Sequence, residues 1–319
     1  MTALSCLHNS SEKDWNYQTA CDNIVSVILL TFVREVHSVT YLMSAVLGFV
    51  QGVAEFLPIS SSGHLTLFQH FFGMQEPDNL FNILLHFATL LAVCVYYFRD
   101  IWEMVVEFFR MLGDMFSRHP SKGNPPEARR LILLIIVGTL PLFAIVPIED
   151  KVESLGGNPV FVCCALLVTG CLLFFSDRMA RGRKTARNAT LGDVFLVGLA
   201  QACATIPGLS RSGCTISAGM ARGFDRNFAV RYSFLMSLPA VLGATLLKVV
   251  KTVKAAEPIA QDLLPKYLLG MAVAGIVGYF SIRLVNLLAD KGKFGAFAYY
   301  CWGAGILFLL LSLNGWTLF

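Results

Sequence analysis

Charged residues are scarce in this chain. Asp, Glu, Lys and Arg together make up 14% of it, against about 25% in a soluble globular domain. That shortage excludes an ordinary water-soluble fold. With 55% hydrophobic residues and a mean hydropathy of +0.63, the chain reads as an integral membrane protein. The net charge is only +4, and no Lys/Arg run interleaves with aromatics, so nothing points to nucleic acid. The nine cysteines include no Cys-x-x-Cys and no His/Cys set at zinc-ligand spacing, which removes a zinc or dithiol reading. Cys94, Cys163, Cys164, Cys171, Cys203 and Cys301 read as buried apolar thiols; Cys6 and Cys21 are free to pair, but nothing requires it. A basic leader is missing too. Met1–Asn23 mixes Glu12, Lys13, Asp14 and Asp22, unlike the start of a signal peptide.

Long apolar runs are what the chain does have. Asn82–Phe98, Leu131–Ile148, Pro159–Ser176, Phe228–Val250, Tyr267–Leu288 and Phe294–Leu313 are each long enough for a hydrocarbon core of roughly 30 Å. Ile101–Phe116 carries Glu103, Glu107, Arg110 and Asp114 among apolar residues, as an interfacial or protein-packed amphipathic helix does. Ile24–Val33 is too short to span, and an interfacial helix is expected there. Residues 1–37 read as an extension of unknown role, and 38–319 as a single membrane-embedded domain.

Two stretches are copies of one another. Gly48, Gln51, Ala54, Ser60, Ser62 and Gly63 recur as Gly198, Gln201, Ala204, Ser210, Ser212 and Gly213, at one constant offset (198 − 48 = 150). Val39–Leu57 stops at Pro58 and is followed by His64–Phe72. Val194–Ile206 stops at Pro207-Gly208 and is followed by Thr215–Met220. Half-length helices around a Gly/Ser break, in corresponding positions, mark a site near the bilayer midplane between inverted repeats. The fold expected is an all-α polytopic bundle with two re-entrant helix pairs. Loop charge sets the orientation. Arg118, Lys122, Arg129 and Arg130, and again Arg178, Arg181, Arg183, Lys184 and Arg187, place their loops in the cytoplasm, whereas Glu149, Asp150 and Glu153 face outward.

Ionisable groups embedded in apolar sequence are costly, so those beside the breaks are candidates for a working site. Gln51 and Glu55 share one helix face, and their oxygens suit a hard cation, Mg²⁺ or Ca²⁺, completed by phosphate and water. Ser60, Ser61, Ser62 and Gly63 would present hydroxyls and backbone N–H groups at a helix start, a cradle for phosphate. His64 is general base, general acid or nucleophile; Ser61, within helical reach of it, is the alternative nucleophile. Gly208 and Gly213 allow close backbone approach, while Ser210, Ser212 and Thr215 supply hydroxyls. Arg211 supplies the planar fork that grips phosphate in two places. Gln201 reads as packing, and Arg222, Arg226 and Arg231 as charged loop ends. His37, His70, His86 and His119 have no partner motif and read as structural.

The stretch Gln51–His64, Gln-Gly-Val-Ala-Glu-Phe-Leu-Pro-Ile-Ser-Ser-Ser-Gly-His, resembles the first signature of the bacterial undecaprenyl-diphosphate phosphatase family of the bacitracin-resistance type. Pro207–Thr215, Pro-Gly-Leu-Ser-Arg-Ser-Gly-Cys-Thr, resembles its second. The resemblance covers about residue 38 to the end. It implies an inner-membrane enzyme that hydrolyses a C55 isoprenyl diphosphate at the periplasmic face and recycles the lipid carrier of cell-wall synthesis. It implies Mg²⁺ or Ca²⁺, with Glu55 as the essential acid, Ser61 as the proposed nucleophile, His64 as the motif imidazole and Arg211 as the phosphate ligand. Gln51 stands where the family's first acidic residue falls, which weakens any scheme with two carboxylates on the metal. The partners expected are the prenyl diphosphate lipid and the membrane, and a homodimer is compatible with such a chain. Two other readings compete. A lipid flippase also uses inverted repeats with broken helices. The type 2 phosphatidic acid phosphatases also use Ser-Gly-His and Ser-Arg stretches, but they need a histidine after the arginine, and none follows Arg211.

Overall fold

The computed structural model describes residues 40–71, 79–116, 126–179, 182–255 and 263–314. The expected interfacial helix at Ile24–Val33 and the Cys6/Cys21 pair lie outside the described residues. From Tyr41 onward the chain forms one compact unit. The described residues are helical, joined by turns. In chain order the α-helices are α1 (Tyr41–Ala54), α2 (Ser61–Phe71), α3 (Asn79–Tyr96), α4 (Phe98–Phe116), α5 (Glu127–Thr139), α6 (Glu149–Ser154), α7 (Pro159–Met179), α8 (Leu191–Cys203), α9 (Arg211–Ala221), α10 (Arg226–Ala255), α11 (Leu264–Asp290) and α12 (Ala296–Leu313).

Five segments are long and apolar enough to cross a membrane: Glu127–Gly157, Pro159–Arg178, Arg226–Lys251, Leu264–Asp290 and Ala296–Leu313. α3 and α4 are long and apolar enough only as a pair, with an 83° bend between them, so the expected span Asn82–Phe98 is not one of these five. The chain is therefore a multi-pass membrane protein. Side chains such as Leu246, Phe280, Leu307 and Leu310 are more than half exposed, as apolar groups facing lipid are. The amphipathic segment expected at Ile101–Phe116 is α4. Its Glu107 is buried and accepts a 2.7 Å hydrogen bond from Arg129, while Trp102 and Phe109 stay exposed. α5 gives way to 3₁₀ turns at Leu140–Ala144 and Val146–Ile148, because Pro141 and Pro147 cannot continue an α-helical hydrogen-bond ladder.

The repeat is realised helix by helix. α1 and α8 start 150 residues apart (191 − 41), as do α2 and α9 (211 − 61). α2 begins at Ser61, ahead of the start expected near Gly63, and α9 at Arg211, ahead of the apolar piece Thr215–Met220. The reason is capping. Ser60 Oγ accepts from Gly63 N at 3.2 Å, and Ser210 Oγ from Gly213 N at 3.1 Å, each serine satisfying an orphan donor of a helix start.

The two hairpins point in opposite directions. α1 runs alongside α11 in the same sense: Ser44 donates to the Lys266 carbonyl, Gly48 lies on the Gly270 backbone, and Gly52 lies on Ala274 and Gly278. α8 runs likewise beside α5, with Arg130 donating to the Ala189 carbonyl and Gly198 lying on Gly138. α5 begins next to the start of α10, where Arg231 meets Glu127, and α11 ends next to that same start, where Gly292 packs on Arg226. α5 and α11 are thus antiparallel, and so are α1 and α8. Gly48 and Gly198 are repeat mates, and each crosses a second glycine. Missing side chains at both crossings let the backbones touch, which is how helices pack tightly in lipid.

Candidate active site

The breaks of the two hairpins meet. A Cβ added to Gly63 would lie 3.2 Å from Gly208 Cα, and one added to Gly213 would lie 3.5 Å from Pro58 Cβ. Gly208 has φ +93°, a conformation glycine adopts without steric cost. Hydrogen bonds cross the junction: Gly208 N donates to Ser62 Oγ at 3.5 Å, Ser60 Oγ to the Leu209 carbonyl at 3.4 Å, and Ser212 Oγ to the Leu57 carbonyl at 3.4 Å.

Glu55 is the centre of this junction. It is 7% exposed. Its Oε1 pairs with the Arg211 guanidinium. Its Oε2 accepts from Ser61 Oγ at 2.6 Å and from Gln51 Nε2 at 3.0 Å. A buried carboxylate is tolerable only when paired and hydrogen-bonded, and each oxygen of Glu55 is so engaged. Ser61 and Arg211 are repeat mates (61 + 150 = 211). Each is the first residue of its helix, so the inverted repeat brings two equivalent positions onto one carboxylate from opposite sides. Ser61 and Ser62 remain open to the surroundings. The Arg211 side chain is 25% exposed, so hydroxyl and guanidinium are both accessible to a ligand entering the gap.

The remaining expected residues divide. Gln51 belongs to the cluster. Its Oε1 is buried and has no hydrogen-bond partner. Ser60 caps α2, and Gly63 and Gly208 form the close approach. Ser210 and Ser212 are buried and bonded to each other at 3.2 Å. Thr215 turns away toward α10, 2.6 Å from Ser233 Oγ. Ser210 caps the second hairpin and Thr215 braces it against α10, while Ser212 also ties it to the first break through the Leu57 carbonyl. His64 does not meet Ser61 or Glu55. Its Nδ1 donates to the Ser60 carbonyl at 2.8 Å and its Nε2 lies 2.9 Å from Tyr300 Oη. His64 lies one turn along α2 from Ser61, but its imidazole is committed to other partners. Arg222, Arg226 and Arg231 are paired away from the junction, with Asp193, Asp177 and Asp100; Arg231 lies inside α10 and is no loop end.

One residue of the cluster escaped sequence reasoning. His86 Nε2 lies 3.8 Å from Glu55 Oε2, and its Nδ1 bonds the Asn82 carbonyl at 2.8 Å. It sits mid-helix in α3 with no motif around it. The only available signal was a histidine inside an apolar run that crosses the membrane.

A multi-pass helical membrane protein whose polar centre is assembled from two opposed, interrupted hairpins defines the class. The chain belongs to a particular family within it, that of bacitracin resistance protein BacA, whose pattern it matches over residues 44–307. Among similar proteins is an undecaprenyl-diphosphatase of Methanobrevibacter smithii, 37% identical over 278 residues, 86% of this chain and 98% of that protein. Others are an undecaprenyl-diphosphatase of Halothermothrix orenii, 37% identical over 83% of this chain and 96% of the relative, and one of Desulforapulum autotrophicum, 38% identical over the same shares.

Proposed function

We propose that this protein hydrolyses undecaprenyl diphosphate to undecaprenyl phosphate and inorganic phosphate, recycling the lipid carrier of cell-wall synthesis. The observation that carries this reading is the hydroxyl of Ser61 donating to Glu55 at 2.6 Å while Arg211 holds the other oxygen of that carboxylate. The hairpins dip into the bilayer from opposite faces. The prenyl tail lies among the helices, and the diphosphate enters the gap between the breaks.

Chemistry follows from the three groups. Ser61 Oγ attacks the terminal phosphorus, and its proton passes to Glu55, the base already bonded to it. Arg211 exchanges part of its hold on Glu55 for the phosphate oxygens and offsets the charge that develops there. The bond from the terminal phosphorus to the bridging oxygen breaks and prenyl phosphate departs. Glu55 passes that proton to the departing prenyl phosphate; it then takes a proton from the water that attacks the phosphoserine and returns it to Ser61 Oγ as the phosphorus–Oγ bond breaks and inorganic phosphate leaves. In a variant of this scheme Glu55 deprotonates water directly. His64, with both ring nitrogens bonded elsewhere, takes no part in proton transfer in either.

A divalent cation fits this donor set only together with its substrate. Among the described residues no group of three His, Cys, Asp or Glu side chains is placed to hold an ion. The orphaned Gln51 Oε1 and a Glu55 oxygen are two hard ligands, and Mg²⁺ or Ca²⁺ takes six or more, leaving the rest to diphosphate and water. Bound there, the ion would neutralise phosphate charge. The site faces the periplasmic side of the bacterial inner membrane in this reading. Gly156, in the turn after the acidic α6, packs on Pro207 of the second break, whereas the Asp193–Lys184–Arg222 and Asp100–Arg231–Glu127 ion-pair clusters gather at the basic, cytoplasmic end.

Opposed broken hairpins are also the architecture of carriers, and one assay separates the two. Purified protein in detergent has no second compartment. There, release of inorganic phosphate from a long-chain prenyl diphosphate, abolished by a chelator and restored by Mg²⁺ or Ca²⁺, is the expected result; no release would leave only the carrier reading.

A further inference from the structure

The two halves of the site differ in the backbone of the serine that caps the second helix. Ser60 has φ +71°, a left-handed conformation rare for a residue with a side chain and costly to hold. Its repeat mate, Ser210, has an ordinary φ of −80°. The mate of His64 is Cys214 (64 + 150). The strained turn and the imidazole therefore occur together in the half that carries Ser61 and are both missing from the other half.

Contacts explain the association. Ser60's carbonyl accepts from His64 N at 3.1 Å and from His64 Nδ1 at 2.8 Å. Because Nδ1 gives its proton to a carbonyl, Nε2 is the acceptor atom of the ring, and the Tyr300 hydroxyl donates to it at 2.9 Å. The Tyr300 ring stacks on the imidazole, centroids 5.7 Å apart and planes 17° from parallel. Tyr300 is 48% exposed, a ring along the lipid-facing surface of α12 whose hydroxyl turns inward to its partner. The next residue, Cys301, places Sγ 3.6 Å from the Pro58 carbonyl. Consecutive residues of α12 thus secure carbonyl groups on both sides of the first break.

We infer that Tyr300, acting through His64, is a positioning residue: it locks the left-handed Ser60 turn and so aims the Ser61 hydroxyl at Glu55. His64 is a strut in this arrangement. The inference rests on the hydrolase reading for the role of Ser61, but the strut itself is read independently.

The test uses the full chain in detergent, with prenyl diphosphate as substrate and ¹⁵N-histidine NMR as a readout separate from turnover. Tyr300→Phe keeps the ring stack and loses the hydroxyl. It should lower kcat by about three- to tenfold, the scale of one hydrogen bond, with KM unchanged, and it should shift the Nε2 signal of His64. His64→Asn retains an amide N–H in reach of the Ser60 carbonyl and should recover most of what His64→Ala loses, a loss of roughly 10- to 100-fold. Two outcomes overturn the inference: His64→Asn as inactive as His64→Ala, which would make proton transfer the role of the ring, or Tyr300→Phe equal to the parent in both kcat and ring signal. A parent chain that releases no phosphate, while the ring signal still moves in Tyr300→Phe, would remove the hydrolase reading and support the strut.

Discussion

Glu55 can be shared by Ser61, Gln51 and Arg211, with His86 Nε2 3.8 Å from Oε2, because a carboxylate is acceptor-only, with room for about four donors on two oxygens. In an apolar interior that sharing is what makes its charge tolerable, and it places a base against a hydroxyl beside a cation. Arg211 is the residue whose geometry matters most. Its planar fork can hold Glu55 and phosphate together, whereas a lysine offers a point charge. Arg211→Lys should keep the protein folded and lower kcat for prenyl diphosphate by about 10²- to 10³-fold, the scale of losing one oriented donor to a developing oxyanion; kcat within threefold of the parent would contradict this. At this scale Glu55, Ser61 and Arg211 were legible in the sequence, because acids, bases and clustered hydroxyls at helix breaks inside apolar runs are expensive and stand out. His86 was not legible, since its partner is 31 positions away (86 − 55 = 31) and only helix packing brings them together. Thr215 sits within the second motif yet faces α10, and nothing in a one-dimensional pattern tells which side of a helix turns toward a gap.

Elements in this protein are specified by small residues and caps as much as by hydrophobicity. Gly198 of α8 lies against the Gly138 backbone of α5, and Gly48 of α1 against Gly270 of α11. A side chain at either crossing would push a hairpin off its supporting helix. Gly198→Leu should therefore destabilise the fold by about 1–3 kcal/mol or more, as overpacking a tight contact does. The measurement is thermal unfolding in detergent, with Gly303→Leu as a control, since no atom lies within 4 Å of a Cβ there. Equal midpoints for the two variants would contradict the crossing. The repeat offset, the two breaks and five of the six long spans could be read from the sequence, whereas Asn82–Phe98 proved to be half of a bent pair. The helix starts were misplaced toward the C-terminal side, because Ser61 and Arg211 look like loop residues until Ser60 and Ser210 are seen to cap the turns that contain them. The glycine crossings join repeat mates to α5 and α11, which carry no visible repeat of their own, so spacing alone did not reveal them.

For the whole molecule, the organising fact is that one half is turned over relative to the other. Were the hairpins parallel, Ser61 and Arg211 would lie side by side on one face of the junction; opposed, they close on Glu55 from two directions. The ion pairs sort to the two ends of the bundle. Lys248 and Lys251 tie the far end of α10 to Glu153 and Asp150 of the acidic turn at 2.7 and 2.9 Å, while Asp193, Asp177 and Asp100 hold arginines at the opposite end. One measurement tests most directly whether this assembly is a hydrolytic centre: the initial rate of inorganic phosphate release from undecaprenyl diphosphate by the purified chain in detergent, beside that of Glu55→Gln, with folding checked for both. Glu55→Gln keeps the shape of the junction and removes the base, so the account predicts turnover by the parent and a fall of about 10²- to 10⁴-fold in the variant. Comparable rates from the two proteins would contradict it.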